Sequence, residues 1–140
     1  MRFVDTNVLI YATSPWPDEA GKRRRAQYLL REGGLALSVQ VLQEFYWQAT
    51  HQKRGEALTP SQALEFIDSI RDFPVQAITQ AVFRSAVALS RRFQIPYWDG
   101  AIVAAARASG CDAVYTEDLN PGQDYDGVRV INPFAEPPAS

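Results

Sequence analysis

Apolar and polar positions fall in blocks along this chain. Phe3 and Val4 lead into Asp5, Thr6 and Asn7, and a second apolar run, Val8 to Ala12, follows. The first block predicts a short buried strand at residues 2–4, the second a helix at residues 7–13. Ser14-Pro15-Trp16-Pro17 breaks that helix. Asp18 and Glu19 open another, with acids in its first turn and Ala26, Leu29 and Leu30 facing inward, until Gly33-Gly34 stops it. Residues 35–38 form a second apolar strand. A helix follows at 39–52, with Leu42, Phe45, Tyr46 and Ala49 on one face.

The second half repeats the alternation. Thr59-Pro60-Ser61-Gln62 has the form of a capping box with proline at the first helical position. Ala63, Phe66, Ile67 and Ile70 then recur at helical spacing, and Pro74 ends the element. A third strand is expected at 75–78. Thr79 caps a helix carrying Val82, Ala86, Leu89 and Phe93, and Pro96 separates it from a helix at about 100–109, which Gly110 terminates. Strands at 113–115 and 128–131 complete the count. Strands alternating with helices predict an α/β fold with a central, mostly parallel sheet of about five strands. One domain at residues 1–134 and a loose tail at 135–140 are expected.

Composition changes this picture little. The chain has 140 residues, 46% of them hydrophobic, enough for one core. No apolar run approaches the ~18 residues of a membrane span. The single cysteine, Cys111, rules out an internal disulfide and a Cys-rich zinc site, and reads as a small buried filler. With no signal-peptide pattern, a cytoplasmic protein is the expectation.

Charge is more informative in its placement than in its sum of −2. Lys22-Arg23-Arg24-Arg25 and Arg91-Arg92 are basic, whereas residues 112–126 carry Asp112, Glu117, Asp118, Asp124 and Asp126 with no Lys or Arg. This segregation suits an acidic centre flanked by basic surface. Lys22, Arg23, Arg24, Arg25, Arg91 and Arg92 are candidate phosphate contacts. A competing reading pairs Asp18 with Lys22 and Glu19 with Arg23 as i,i+4 ion pairs.

In open α/β sheets, ligands collect outside the carboxyl ends of the strands. Asp5 follows the first strand, Ser38 the second and Thr116-Glu117-Asp118 the fourth, while Glu44 and Asp99 lie on helices able to reach the same edge. Each acid also has a plain role open to it. Asp5, Asp99 and Asp118 can cap helices, Glu44 can hold its head in water at the border of an apolar face, and Glu117 can point to solvent. Were they to converge, their mutual repulsion would call for a cation. An all-oxygen set suits Mg²⁺ or Mn²⁺, and such an ion suits phosphodiester hydrolysis. The only histidine, His51, reads as a surface residue, so paired-histidine chemistry cannot be built.

The order of these motifs resembles the PIN-domain nucleases. Asp5-Thr6-Asn7-Val8-Leu9 is similar to their opening motif, and Ser38 to Phe45 to the second, with its acid at Glu44. Asp99 to Ala105 resembles the third. Thr116-Glu117-Asp118-Leu119, followed by Val130 to Phe134, resembles the fourth and the usual ending. The length is similar to the VapC toxins of toxin–antitoxin pairs. The resemblance implies a PIN-like three-layer sandwich and a metal-dependent endoribonuclease acting on structured RNA such as tRNA or rRNA. It also implies an antitoxin partner and a homodimer. Carried over by position, Asp5, Glu44, Asp99 and Asp118 would be the catalytic, Mg²⁺- or Mn²⁺-binding acids, with Glu117 a substitute for Asp118. Thr6, Asn7 and Thr116 would be their polar supports. Trp16, between two prolines, is the candidate contact for an antitoxin peptide.

Two other classes stay open. In a phosphotransferase or phosphatase, Asp5 would accept phosphate. The only lysines, Lys22 and Lys53, fall in helix or loop, and no P-loop is present. A non-catalytic RNA-binding protein would gain nothing from acids facing phosphate.

Overall fold

The computed structural model describes residues 1–135, so the expected tail lies outside the described residues beyond Ala135. The elements run β1 (Arg2–Val4), α1 (Thr6–Ala12), a 3₁₀ turn (Pro17–Glu19), α2 (Ala20–Glu32), β2 (Leu35–Ser38), α3 (Val39–Thr50) and α4 (Pro60–Ser69). They continue as β3 (Val75–Gln76), α5 (Gln80–Phe93), α6 (Tyr97–Ala108), β4 (Ala113–Tyr115), β5 (Asp124–Tyr125) and β6 (Val128–Ile131). All five predicted strands are present, the third shorter than expected.

The sheet has the order β3-β2-β1-β4-β6-β5, parallel except for β5. All four residues of β2 and all three of β4 are buried, so both faces of the sheet are covered. One cover is the set α1 to α4, and the other is the pair α5 and α6, with α6 resting on β2, β4 and β6. This is a three-layer α/β sandwich. Phe3, Val4, Leu37, Val114 and Val130 from the sheet meet Val8, Leu9, Phe45 and Val103 from the helices in the core. Cys111 is buried there too.

Three details depart from the expectation. A sixth strand, β5, folds back on β6 through Asp126-Gly127, both with positive φ (55° and 98°), the geometry of a two-residue hairpin turn. The Asp-Gly pair between Tyr125 and Val128 was its signal in the sequence. Helix α6 begins at Tyr97, three residues early, with Pro96 as its N-cap. Finally, the 3₁₀ turn takes Asp18 and Glu19 out of α-helical register with α2, so the expected ion pairs to Lys22 and Arg23 do not form. Asp18 instead binds Arg54 at 3.1 Å, Glu19 accepts from Ser14, and Arg23 donates to the Ser14 carbonyl.

The chain passes from β1 outward to β2 and β3, then crosses back to place β4 on the other side of β1. The order therefore reverses between β1 and β4, which opens a crevice at their carboxyl ends.

Candidate active site

That crevice is a cleft of about 310 Å³ whose lining includes Asp5, Glu44, Asp99 and Asp118. Glu19 and Glu117 stand in the same lining, and no cation does.

Asp5 follows β1 directly. Its Oδ1 accepts from the Thr6 N–H at 2.7 Å, making it the N-cap of α1, while Oδ2 accepts from the Thr116 hydroxyl at 2.9 Å. Asp5 thus caps α1 and stands in the cleft lining at the same time. Asp5 is only 5% exposed, and burial lifts its pKa to about 7, against the two hydrogen bonds and with help from the charges of Asp118 and Glu44. Asp99 lies in the first turn of α6 and is not its cap. Its pKa is also raised, by burial and then by Asp118 and Glu44. Both shifts come first from burial, and the neighbouring carboxylates add to them.

The supporting side chains have little freedom. Thr116 accepts from the Asn7 amide and from the Asp118 N–H, both at 3.1 Å, so its one proton is committed to Asp5. Asn7 spends both amide protons, on Thr116 and on Asp118 Oδ2 at 3.1 Å. Its carbonyl oxygen, Oδ1, is buried and has no partner among the described residues. Glu44 is held by the Thr6 hydroxyl at 2.9 Å and by the Gln40 amide at 2.8 Å. Gln40 also reaches the Trp98 carbonyl at 3.3 Å, which ties α3 to the start of α6.

Glu117 has a different fate from Asp118. It receives the Tyr11 hydroxyl and the Lys22 ammonium, the latter at 3.0 Å, and Lys22 also donates to Tyr11 at 3.1 Å. Those contacts hold Lys22 above its ordinary pKa, first through Tyr11 and then Glu117. Glu117 is therefore neutralised at the rim, whereas Asp118 keeps one oxygen free of the Asn7 contact.

The site suits a hard cation by its all-oxygen donors, its clustered negative charge and the orphaned Asn7 Oδ1. Among the described residues, no three acidic, histidine or cysteine side chains are gathered closely enough to grip an ion as they stand. Asp5, Glu44 and Asp118 each accept instead from hydrogen-bond donors of the protein.

The expected basic flank lies outside the cleft: Arg24, Arg25, Arg91 and Arg92 are absent from its lining. Of the other acids in the 112–126 segment, Asp112, Asp124 and Asp126 are absent from it too. Asp126 binds Arg107 and Arg92 at 2.8 and 3.4 Å. Trp16 is not the free surface aromatic its prolines suggested: the Arg54 guanidinium covers its ring at 4.2 Å. The exposed tryptophans are Trp47 and Trp98, and Trp98 forms part of the cleft lip. His51 is on the surface, stacked on Trp47. Sequence reasoning missed Gln40, Tyr11 and Trp98, and it gave Lys22 no contact to Glu117. Only Gln40 had a local signal, its i,i+4 spacing to Glu44 on one helix.

Solved structures with this fold include a chain of a toxin–antitoxin complex from Klebsiella pneumoniae. It has TM-score 0.69 and 23% identity, and the match covers 96% of this chain and 98% of that one. The sarcin–ricin-loop-cleaving toxin VapC20 of Mycobacterium tuberculosis matches with TM-score 0.65 and 17% identity, over 84% of this chain and 90% of that one. VapBC2 from Rickettsia felis, bound to promoter DNA, matches with TM-score 0.62 and 16% identity, over 92% and 96%. At these identities the likeness is one of fold. No curated protein is a significant sequence match. The PIN domain family matches residues 2–123, nearly the whole described chain. With its acids set at the β1–β4 crevice of this sandwich, the chain belongs to the PIN domain family.

Proposed function

We propose that this protein is a metal-dependent endoribonuclease and the toxin of a toxin–antitoxin pair, cutting structured RNA such as tRNA or rRNA. The observation that carries this reading is the convergence of Asp5, Glu44, Asp99 and Asp118 on one cleft beside the unpartnered Asn7 Oδ1. Asp5 and Asp99 would hold Mg²⁺ or Mn²⁺, with Glu44 and Asp118 completing the set directly or through water. When bound, such an ion supplies electrophilic stabilisation of phosphate and lowers the pKa of water.

The chain's own residues do the rest. Thr116 fixes which face of the Asp5 carboxylate is left over, because its single proton holds Oδ2. Asn7 steers Asp118 with its amide. Thr6 and Gln40 grip Glu44 from two sides, so that its charge stays at the mouth of the cleft. Water attacking a phosphate in line would be oriented by these fixed oxygens.

The expected partners are an antitoxin and a second copy of this chain. An exposed apolar strip supports a partner surface: Ile78, Phe83 and Trp98 are 57%, 48% and 65% exposed and border one groove beside the cleft. The toxin–antitoxin relatives favour an antitoxin. No helix among the described residues is long and apolar enough to cross a membrane. A phosphoenzyme on Asp5 would lack a lysine at its side, since none lines the cleft and Lys22 lies on Glu117.

The test is cleavage of total RNA by purified protein in Mn²⁺, Mg²⁺ or EDTA, with the new 5′ ends mapped. Discrete ends that vanish in EDTA are expected. Asp99→Asn should lower cleavage at least about a hundredfold while leaving the Tm near wild type. Full metal-dependent activity in that variant would overturn the assignment of Asp99.

A further inference from the structure

Lys22 stands between two cavities of opposite charge. On one side is the acidic cleft, reached through its contacts to Tyr11 and Glu117. On the other is a groove of about 490 Å³ between α2 and the segment after β6, lined by Gly21, Lys22, Arg25 and residues 131–135. Its lining contains two cations and no acid. The volume falls within the ~300–1,000 Å³ of small-ligand sites.

The groove's polar groups are left with capacity to bind. An ammonium has three protons, and Lys22 uses two, on Tyr11 and Glu117. Arg25 donates its Nε–H to the buried Pro133 carbonyl at 3.1 Å, which anchors the guanidinium at the groove, and it pairs with no carboxylate among the described residues. Asn132 spends its side-chain oxygen on the Phe134 N–H at 2.9 Å, leaving its amide protons to a ligand. Gly21 adds no side chain to the wall. Phe134, edge-on to Tyr11 with ring centroids 4.8 Å apart, offers an apolar surface. Donors without acceptors, beside one aromatic ring, fit a phosphate with an attached ribose and base.

We infer that this groove is a subsite for a nucleotide flanking the cleaved phosphodiester, its phosphate on Lys22 and Arg25 and its sugar and base against Asn132 and Phe134. The inference rests on the nuclease reading and adds the path of the strand, from the acids over Lys22 into the groove. It separates Arg25 from Arg24, Arg91 and Arg92, which line neither cavity.

The experiment uses a short fluorescein-labelled RNA that keeps a mapped cleavage site within its surrounding fold. Steady-state cleavage is measured in Mn²⁺, and binding by anisotropy on the Asp99→Asn background over a range of salt. Arg25→Ala should raise KM about tenfold with kcat unchanged and flatten the salt dependence of binding by about 0.7 in log–log slope. Lys22→Met should weaken binding similarly, and Lys22→Arg should restore it. Arg92→Ala is the control and should change neither. Arg25 is exposed but holds the Pro133 carbonyl, so Tm measurements check both Arg25→Ala and Lys22→Met. If the wild type cuts RNA but Arg25→Ala and Lys22→Met keep its KM and salt slope, the groove serves something else, such as an acidic peptide, and the inference is overturned. If the wild type cuts no RNA at all, the nuclease reading falls and the inference with it.

Discussion

Thr116 has one proton to give, and it gives it to Asp5. The hydroxyl is fully buried and saturated, so Asp5 keeps one geometry at the cost of sitting away from water. The consequence is a stability that depends on pH. Asp5 has a folded pKa near 7 against 3.8 for the ordinary carboxyl, so the folded chain binds more protons between those values. Its contribution is complete below about pH 4 and is lost as pH rises through 7, with a slope approaching about 1.4 kcal/mol per pH unit. In EDTA, the Tm of the wild type should therefore fall between pH 5 and pH 8, and Asp5→Asn should flatten that fall. An equal slope in both proteins, measured by thermal unfolding, would show that Asp5 is not the group responsible. Gln40 was missed in the sequence although its i,i+4 contact to Glu44 lies within one helix.

Helices α5 and α6 pack closely because Gly100 lets them. A Cβ there would lie 2.8 Å from the Ala86 carbonyl oxygen and 3.2 Å from Ser90 atoms. A backbone carbonyl cannot retreat as a flexible side chain can, so Gly100→Ala must push α6 off α5. The expected cost is about 1–3 kcal/mol, read as a Tm lower by roughly 5–10 °C. Because Asp99 is the preceding residue, kcat should fall as well. Gly21→Ala is the control for stability: nothing lies within 4 Å of that position, and losing glycine from a helix should leave Tm equal or higher. Other features at this level were legible from local chemistry. The capping box at Thr59 forms as its sequence pattern predicts. Misreadings arose where two local signals competed. Acids at 18 and 19 resemble a helical first turn, yet Pro17 starts a 3₁₀ turn that sends them to Arg54 and Ser14.

Across the molecule, acids gather at the β1–β4 crevice while Lys22 and Arg25 hold the groove beside it. Concentrated negative charge destabilises the fold until a cation joins it. Mn²⁺ should thus raise Tm, with a gain of about 2.7 kcal/mol at a hundredfold excess over Kd. Asp99→Asn should lose most of that gain, and thermal shift against Mn²⁺ concentration measures both. An unchanged Mn²⁺ response in Asp99→Asn would remove Asp99 from the ion-binding set.

The sequence by itself determined the alternation of strands and helices, the caps and breakers between them, and the order of four acids at strand ends or on helices. Those depend on periodicity and turn chemistry over a few residues. Which acids meet, and what each one touches, only the tertiary structure decided. Thr116 meets Asp5 across 111 positions and Asn7 across 109 because β4 inserts beside β1, an adjacency no local pattern carries. The same adjacency brings Glu117 to Lys22 and leaves neighbouring Asp118 to Asn7. Two consecutive acids of similar chemistry thereby receive different partners, and the long-range order of the strands is the physical reason.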